Sequence, residues 1–183
     1  MAQHLRGGRR SLAICAPSAG VGCSYLASSL AVAMSQAGIK TLLIDGNLRE
    51  PGVGDYIYST SQAPGLLQCL GDENVAFGEA IRTDVLPGLS LMYAGGTTNQ
   101  PQELLASPEF KALIDVCLRD FDLTIVDTPP SNVCADGRSI AAVLRYAMVV
   151  ARRDSSFVSD VRQVVEELKG DKVNVIGTFL NDF

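Results

Sequence analysis

The sequence has no tryptophan and a single histidine, and only 19% of its 183 residues are charged. That histidine, His4, sits in a loose N-terminal lead-in, so chemistry that needs an imidazole has no candidate in the body of the chain. The five cysteines (Cys15, Cys23, Cys69, Cys117, Cys134) are odd in number and scattered, without a C-x-x-C pair. This spacing supports neither a disulfide framework nor a zinc site, and most of these thiols are expected to be small buried hydrophobes. Long apolar runs are also missing. "SLAICA" and the later runs fall short of a signal-peptide core or a membrane span, which predicts a cytoplasmic chain. Excess positive charge is absent, the net charge being −5, and this argues against nucleic acid as a partner. Only Arg6, Arg9 and Arg10 cluster, ahead of the first apolar run, as a solvated lead-in or a contact for an anionic membrane surface.

What is present is the composition of one folded domain: 47% hydrophobic residues and no low-complexity tract, over a length that supports one substantial core. Positions 1–183 are therefore read as a single unit with a flexible lead-in at 1–10. Apolar runs at 11–16, 40–45, 89–95, 123–127, 146–152 and 173–181 are strand candidates. Several are apolar at consecutive positions, as in parallel strands covered on both faces. Helical patterns separate them: 24–38, closed by Gly38; a helix with Ser107 as N-cap and Pro108 in its first turn; and 155–170, with Val158, Val161, Val164, Val165 and Leu168 on one stripe. The alternation predicts an α/β fold, a mostly parallel sheet with helices on both faces. From Arg49 to Pro87, punctuation by Pro and Gly predicts loops and one short helix around "PGLLQCL".

The stretch "APSAGVGCSY" lies between the first strand and the first helix, where glycine-freed N–H groups and a helix N-terminus together make an anion cradle. Of the four fixed positions in the phosphate-loop pattern G-x-x-x-x-G-K-[ST], Gly22 and Ser24 fit, whereas Pro17 and Cys23 replace the first Gly and the Lys. Two acids sharpen the reading. Asp45 and Asp127 each close a mainly apolar run at a strand's C-terminal end, the edge at which open α/β sheets bind ligands, although such an Asp can also do no more than cap a turn.

These segments, with "LLIDGNLREP", "NQPQELLASPEF", "FDLTIVDTPP" and "VIGTFLN", resemble in order the motifs of bacterial tyrosine kinases of capsule and exopolysaccharide synthesis. The resemblance runs from about Ser11 to Asn181, and the glycine loop is shared with the division-site and partition ATPases. It implies a three-layer P-loop NTPase fold in which Ala19, Gly20, Val21, Gly22, Cys23 and Ser24 wrap phosphate. It also implies that Ser24, Asp45 and Asp127 serve Mg²⁺, that Asp45 and Asp127 act in catalysis if the chain is active, and that Asn181 reads the adenine edge of ATP or ADP. Family members form rings beside an inner-membrane protein that controls polysaccharide chain length, so a homo-oligomer at the inner face of the membrane is implied as well.

The sequence departs from the family at Cys23, a short neutral thiol in the lysine position, and at Asn47, which stands for a second acid. A hydrogen bond to a charged group contributes about 1.5–3 kcal/mol, so loss of the lysine predicts nucleotide binding weakened roughly ten- to a hundredfold. No tyrosine cluster is visible; Tyr25, Tyr56, Tyr58, Tyr93 and Tyr146 are dispersed. The expectation is a pseudokinase or weak nucleotide binder. An active autokinase with Arg49 or a neighbouring subunit's cation as substitute, and a positioning ATPase, are the alternatives. A thiol at a helix N-terminus can also have a lowered pKa and be redox-reactive, which gives Cys23 a second reading beside that of a drifted lysine.

Overall fold

Consecutive apolar residues leave a strand no polar face. Accordingly β1 (Ser11–Cys15), β2 (Thr41–Asp45) and β5 (Leu123–Asp127) are buried along their whole length at the middle of a seven-stranded sheet. The computed structural model describes residues 10–58, 63–71 and 75–182. Residues 1–9, which include His4, Arg6 and Arg9 of the expected lead-in, lie outside them. The sheet is completed by β3 (Arg82–Leu86), β4 (Leu89–Met92), β6 (Tyr146–Arg152) and β7 (Asn174–Asn181), in the order β3-β4-β2-β5-β1-β6-β7. Only the β3–β4 pair is antiparallel.

Alternate residues of each strand feed two cores. Leu12, Ile14, Leu43 and Ile125 pack under α1 (Cys23–Gln36) on one face, with Leu26, Ala27 and Ala31. Ala13, Cys15, Leu42, Ile44 and Val126 pack on the other face. There they meet residues from α2 (Leu66–Gly71), α3 (Pro101–Leu105), α4 (Pro108–Asp120), α5 (Asp136–Leu144) and α6 (Val158–Gly170). The predicted three layers are present. No helix among the described residues is long and apolar enough to cross a membrane.

Four local expectations differ from the structure. The run at 89–95 stops pairing at Met92, because the carbonyls of Tyr93 and Ala94 turn to accept the N–H groups of Leu66 and Leu67 at 2.8 Å each. The crossing is tight enough that a Cβ on Gly65 would lie 2.4 Å from Gly95. β3 occupies a segment read as loop; it is an irregular edge strand with Asp84 at φ 50°, paired on one side only. α5 was not anticipated. Val158, assigned to the buried stripe of α6, is 74% exposed, because burial along that helix begins only with Val161 and Val164. Gly38 does adopt the left-handed conformation, at φ 80°, two residues beyond the last helical residue.

α4 begins as its sequence requires, with Pro108 in the first turn and the Ser107 hydroxyl oxygen accepting the N–H of the fully buried Phe110 at 3.2 Å. Replacing Ser107 with Ala removes that acceptor. The expected loss is about 0.5–2 kcal/mol, read as a lower denaturation midpoint at unchanged slope in equilibrium urea unfolding.

Candidate functional site

β1, β2 and β5 end level with one another, Asp45 paired with Asp127 and Ile14 with Asp127, so everything that leaves these strands meets at one edge. From β1 the chain turns through Ala16–Gly22 into α1. Gly20 at φ 74° and Gly22 at φ 92° supply the left-handed steps that this turn needs. A cleft of about 260 Å³ opens above it, lined by Ser18 through Ser24 and faced by Asn47, Glu50, Gly52 and Tyr56.

Donors and acceptors in the loop are sorted by direction. No acceptor pairs with the backbone N–H groups of Ser18 through Ser24 among the described residues. Five carbonyls of the turn are taken: Ala16 and Pro17 accept from the N–H groups of Ser131 and Asn132 at 2.9 and 3.0 Å, and Gly22 accepts from Leu26 at 3.0 Å. Gly20 accepts from the Arg152 guanidinium at 3.2 Å, and Val21 from the Asn181 amide at 2.8 Å. A loop with the carbonyls of Gly20, Val21 and Gly22 held and successive N–H groups open at a helix N-terminus is suited to receive an anion.

The side chain that should complete the cradle turns away from it. The Cys23 thiol donates to the Ile14 carbonyl at 3.1 Å, sharing that acceptor with the Thr128 hydroxyl at 2.8 Å. It also reaches the Thr128 carbonyl, at 3.7 Å. Burial, then the charge of Asp127, push the thiol well above its ordinary value. This corrects the redox reading, which required a lowered pKa: the helix N-terminus is overridden by desolvation and a carboxylate below.

Below the cleft floor, the Ser24 hydroxyl donates to Asp127 Oδ2 at 2.5 Å, whereas Asp127 Oδ1, fully buried, has no hydrogen-bond partner among the described residues. Asp45 is saturated by backbone, Oδ1 accepting from Asn47 at 3.1 Å and Oδ2 from Gly52 and Val53 at 3.0 Å each. Asn47, in place of an acid, has its Oδ1 fold the next turn by accepting from the N–H groups of Arg49 and Glu50. Asn181 lies buried behind the loop rather than in the cleft wall. The orphaned Asp127 oxygen behind a cleft-lining hydroxyl fits a magnesium site at Ser24, with Asp127 as its support. No group of three or more Cys, His, Asp or Glu among the described residues could hold a metal alone. Such an ion would therefore draw its remaining ligands from phosphate and water, as magnesium commonly does.

Sequence reasoning missed the cleft's charge. Among the described residues no Lys or Arg lines it, whereas Glu50 and Asp55 do. Arg49 is held elsewhere, in a two-pronged ion pair with the buried Asp136 at 2.6 and 3.4 Å. Tyr25 and Tyr56, read as dispersed, meet edge-on with ring centroids 5.8 Å apart. Gly52 approaches Ser24 so closely that a Cβ would stand 2.7 Å from the hydroxyl.

A parallel α/β sheet, a glycine loop running into a helix and an acid at the end of an adjacent strand define a P-loop NTPase domain. No protein-family profile matches the chain. Two curated relatives carry the name "Putative tyrosine-protein kinase": EpsB of Ralstonia solanacearum, 30% identical over 95% of this chain, and CapB of Staphylococcus aureus, 30% identical over 94%. The chain spans 23% of the length of EpsB and 75% of that of CapB. The chain belongs to the bacterial tyrosine-protein kinase family, with a degenerate phosphate loop. Among solved structures, the chimerical protein CapA2B2 superposes with a TM-score of 0.88 at 27% identity, over 98% of this chain and 80% of that one. The fold is shared with the septum site-determining protein MinD of Pyrococcus horikoshii in complex with Mg-ADP. That match has a TM-score of 0.79 at 20% identity, over 93% of this chain and 69% of that one.

Burial raises the Asp127 carboxyl from 3.8 to about 7, with the Ser24 hydrogen bond opposing and the charge of Asp45 adding to the rise. The folded chain thus keeps a proton that the unfolded chain releases, so this contribution favours the fold at low pH and is lost from about pH 4 to about pH 7. Asp127→Asn carries no titratable carboxyl. In thermal unfolding without nucleotide or magnesium, its melting temperature is expected to fall less between about pH 5 and about pH 8 than that of the parent chain.

Proposed function

We infer that this chain is a kinase-like P-loop module of exopolysaccharide or capsular polysaccharide synthesis. In this reading it binds Mg-nucleotide weakly or not at all, transfers phosphate slowly or not at all, and acts mainly by interaction. The observation that carries the reading is the cleft itself: an anion cradle with its N–H groups open, whose lining among the described residues holds two carboxylates and no cation. Half a unit of positive charge at a helix N-terminus contributes about 0.3–1 kcal/mol toward an anion. A single exposed carboxylate a few ångströms from a phosphate opposes this by a comparable amount or more. Without the lysine, the balance is close to neutral until a metal supplies charge. A bound magnesium ion would neutralise part of the phosphate charge.

Membership of the kinase family and the Mg-ADP held by the MinD fold relative support nucleotide as the ligand class. The engagement of Arg49 by Asp136 supports the weak or inactive state over an autokinase that uses Arg49 as its cation. The resemblance supports a place at the inner face of the cell membrane. There the chain would form a homo-oligomer that regulates a membrane polysaccharide co-polymerase.

Calorimetric titration with Mg-ADP and Mg-ATP tests this. Cys23→Lys should raise affinity roughly ten- to a hundredfold over the parent chain. The parent chain incubated with Mg-ATP should carry little or no phosphotyrosine. An unchanged titration for the variant, or strong phosphotyrosine on the parent, would overturn the reading.

A further inference from the structure

β6 and β7 run parallel with Arg152 directly opposite Asn181, and the Arg153 N–H bonds the Asn181 carbonyl at 2.8 Å. The Arg152 backbone is fixed in turn, its N–H donating to the Ser156 hydroxyl at 2.9 Å. From this level pair, two side chains reach across more than a hundred residues of sequence to consecutive carbonyls: Arg152 to Gly20 and Asn181 to Val21. Because the peptide is planar and trans, a carbonyl held on the outer side directs the next N–H the opposite way. The N–H groups so directed are those of Val21 and Gly22, both in residues that line the cleft.

We propose that Arg152 and Asn181 are positioning residues of the anion cradle. By donating to the outward carbonyls of Gly20 and Val21 they lock two adjacent peptides with their N–H groups toward the cleft and polarise those groups as donors. The polarisation follows from the cooperativity of hydrogen bonds in chains, in which a donor on the carbonyl strengthens the N–H of the same peptide. Arg152 adds a net charge to this effect. With Cys23 turned to Ile14, the guanidinium on Gly20 acts on the loop from behind. This extends the nucleotide reading of the cleft and rests on it only for the choice of anion.

The test uses the ¹⁵N-labelled chain with Arg152→Met, Arg152→Lys and Asn181→Leu. Arg152→Met should shift the Val21 amide resonance and lower the order parameters of residues 20–22, with recovery toward the parent values in Arg152→Lys. Asn181→Leu should do the same at Gly22. Unchanged resonances and order parameters in Arg152→Met would overturn the proposal.

Titration with Mg-ADP is the second arm, run in the parent and Cys23→Lys backgrounds. Arg152→Met should weaken binding about three- to tenfold, the value of one net hydrogen bond. Shifted resonances with unchanged Mg-ADP affinity would also overturn it. If Mg-ADP binds neither background, the nucleotide reading falls, and the resonances alone decide whether the clamp exists.

Discussion

The site depends on one constraint: the backbone from Ser18 to Ser24 must keep its N–H groups open while none of its held carbonyls competes for them. A polypeptide left to itself closes such a turn internally, since unpaired backbone groups are costly when sheltered from water. Here the acceptors are withdrawn one by one. The segment after β5 takes the carbonyls of Ala16 and Pro17, α1 takes that of Gly22, and the ends of β6 and β7 take those of Gly20 and Val21. Every one of these partners sits at the C-terminal edge of the parallel sheet. Strand order, with β1 between β5 and β6, is what brings them within reach.

Within that frame the lysine position is separable. Cys23 takes over a local structural task, a hydrogen bond to Ile14 beside Thr128, and leaves the loop's shape intact. Shape and charge therefore separate: the geometry is that of an anion cradle, while among the described residues the charged side chains of the lining, Glu50 and Asp55, are both negative. The two properties have different physical sources. The cradle is made of backbone and glycine conformations fixed by the sheet edge, whereas the cation of the phosphate-loop pattern is a single side chain, at the position held here by Cys23.

Much of this was legible in the sequence where local chemistry decides. The consecutive apolar runs gave the central strands, and Ser107-Pro108 gave the start of α4. Asp45 and Asp127 landed side by side because each closes a strand. β3 and α5 were not legible. The first is a twisted edge strand without apolar continuity, and the second is a nine-residue helix carrying Gly137, too short to show a period. The clamp on Gly20 and Val21 could not be read at all, because its partners are 132 and 160 residues apart and the link is between a side chain and a carbonyl. The resemblance alone implies a different task for Asn181, that of reading the adenine edge.

The two acids differ in what the fold asks of them. A buried carboxylate is tolerated only when hydrogen-bonded. Asp45 meets that condition with three backbone N–H groups from the loop that follows β2, so it holds that loop whether or not a metal or a proton is ever handled there. Asp127 meets it by half, through Ser24, and retains one oxygen with nothing to bind. Of the pair, Asp45 is explained by the fold and Asp127 is not. The unexplained oxygen, and not the presence of two acids, is therefore what argues that the floor of the cleft is still arranged around something outside the protein.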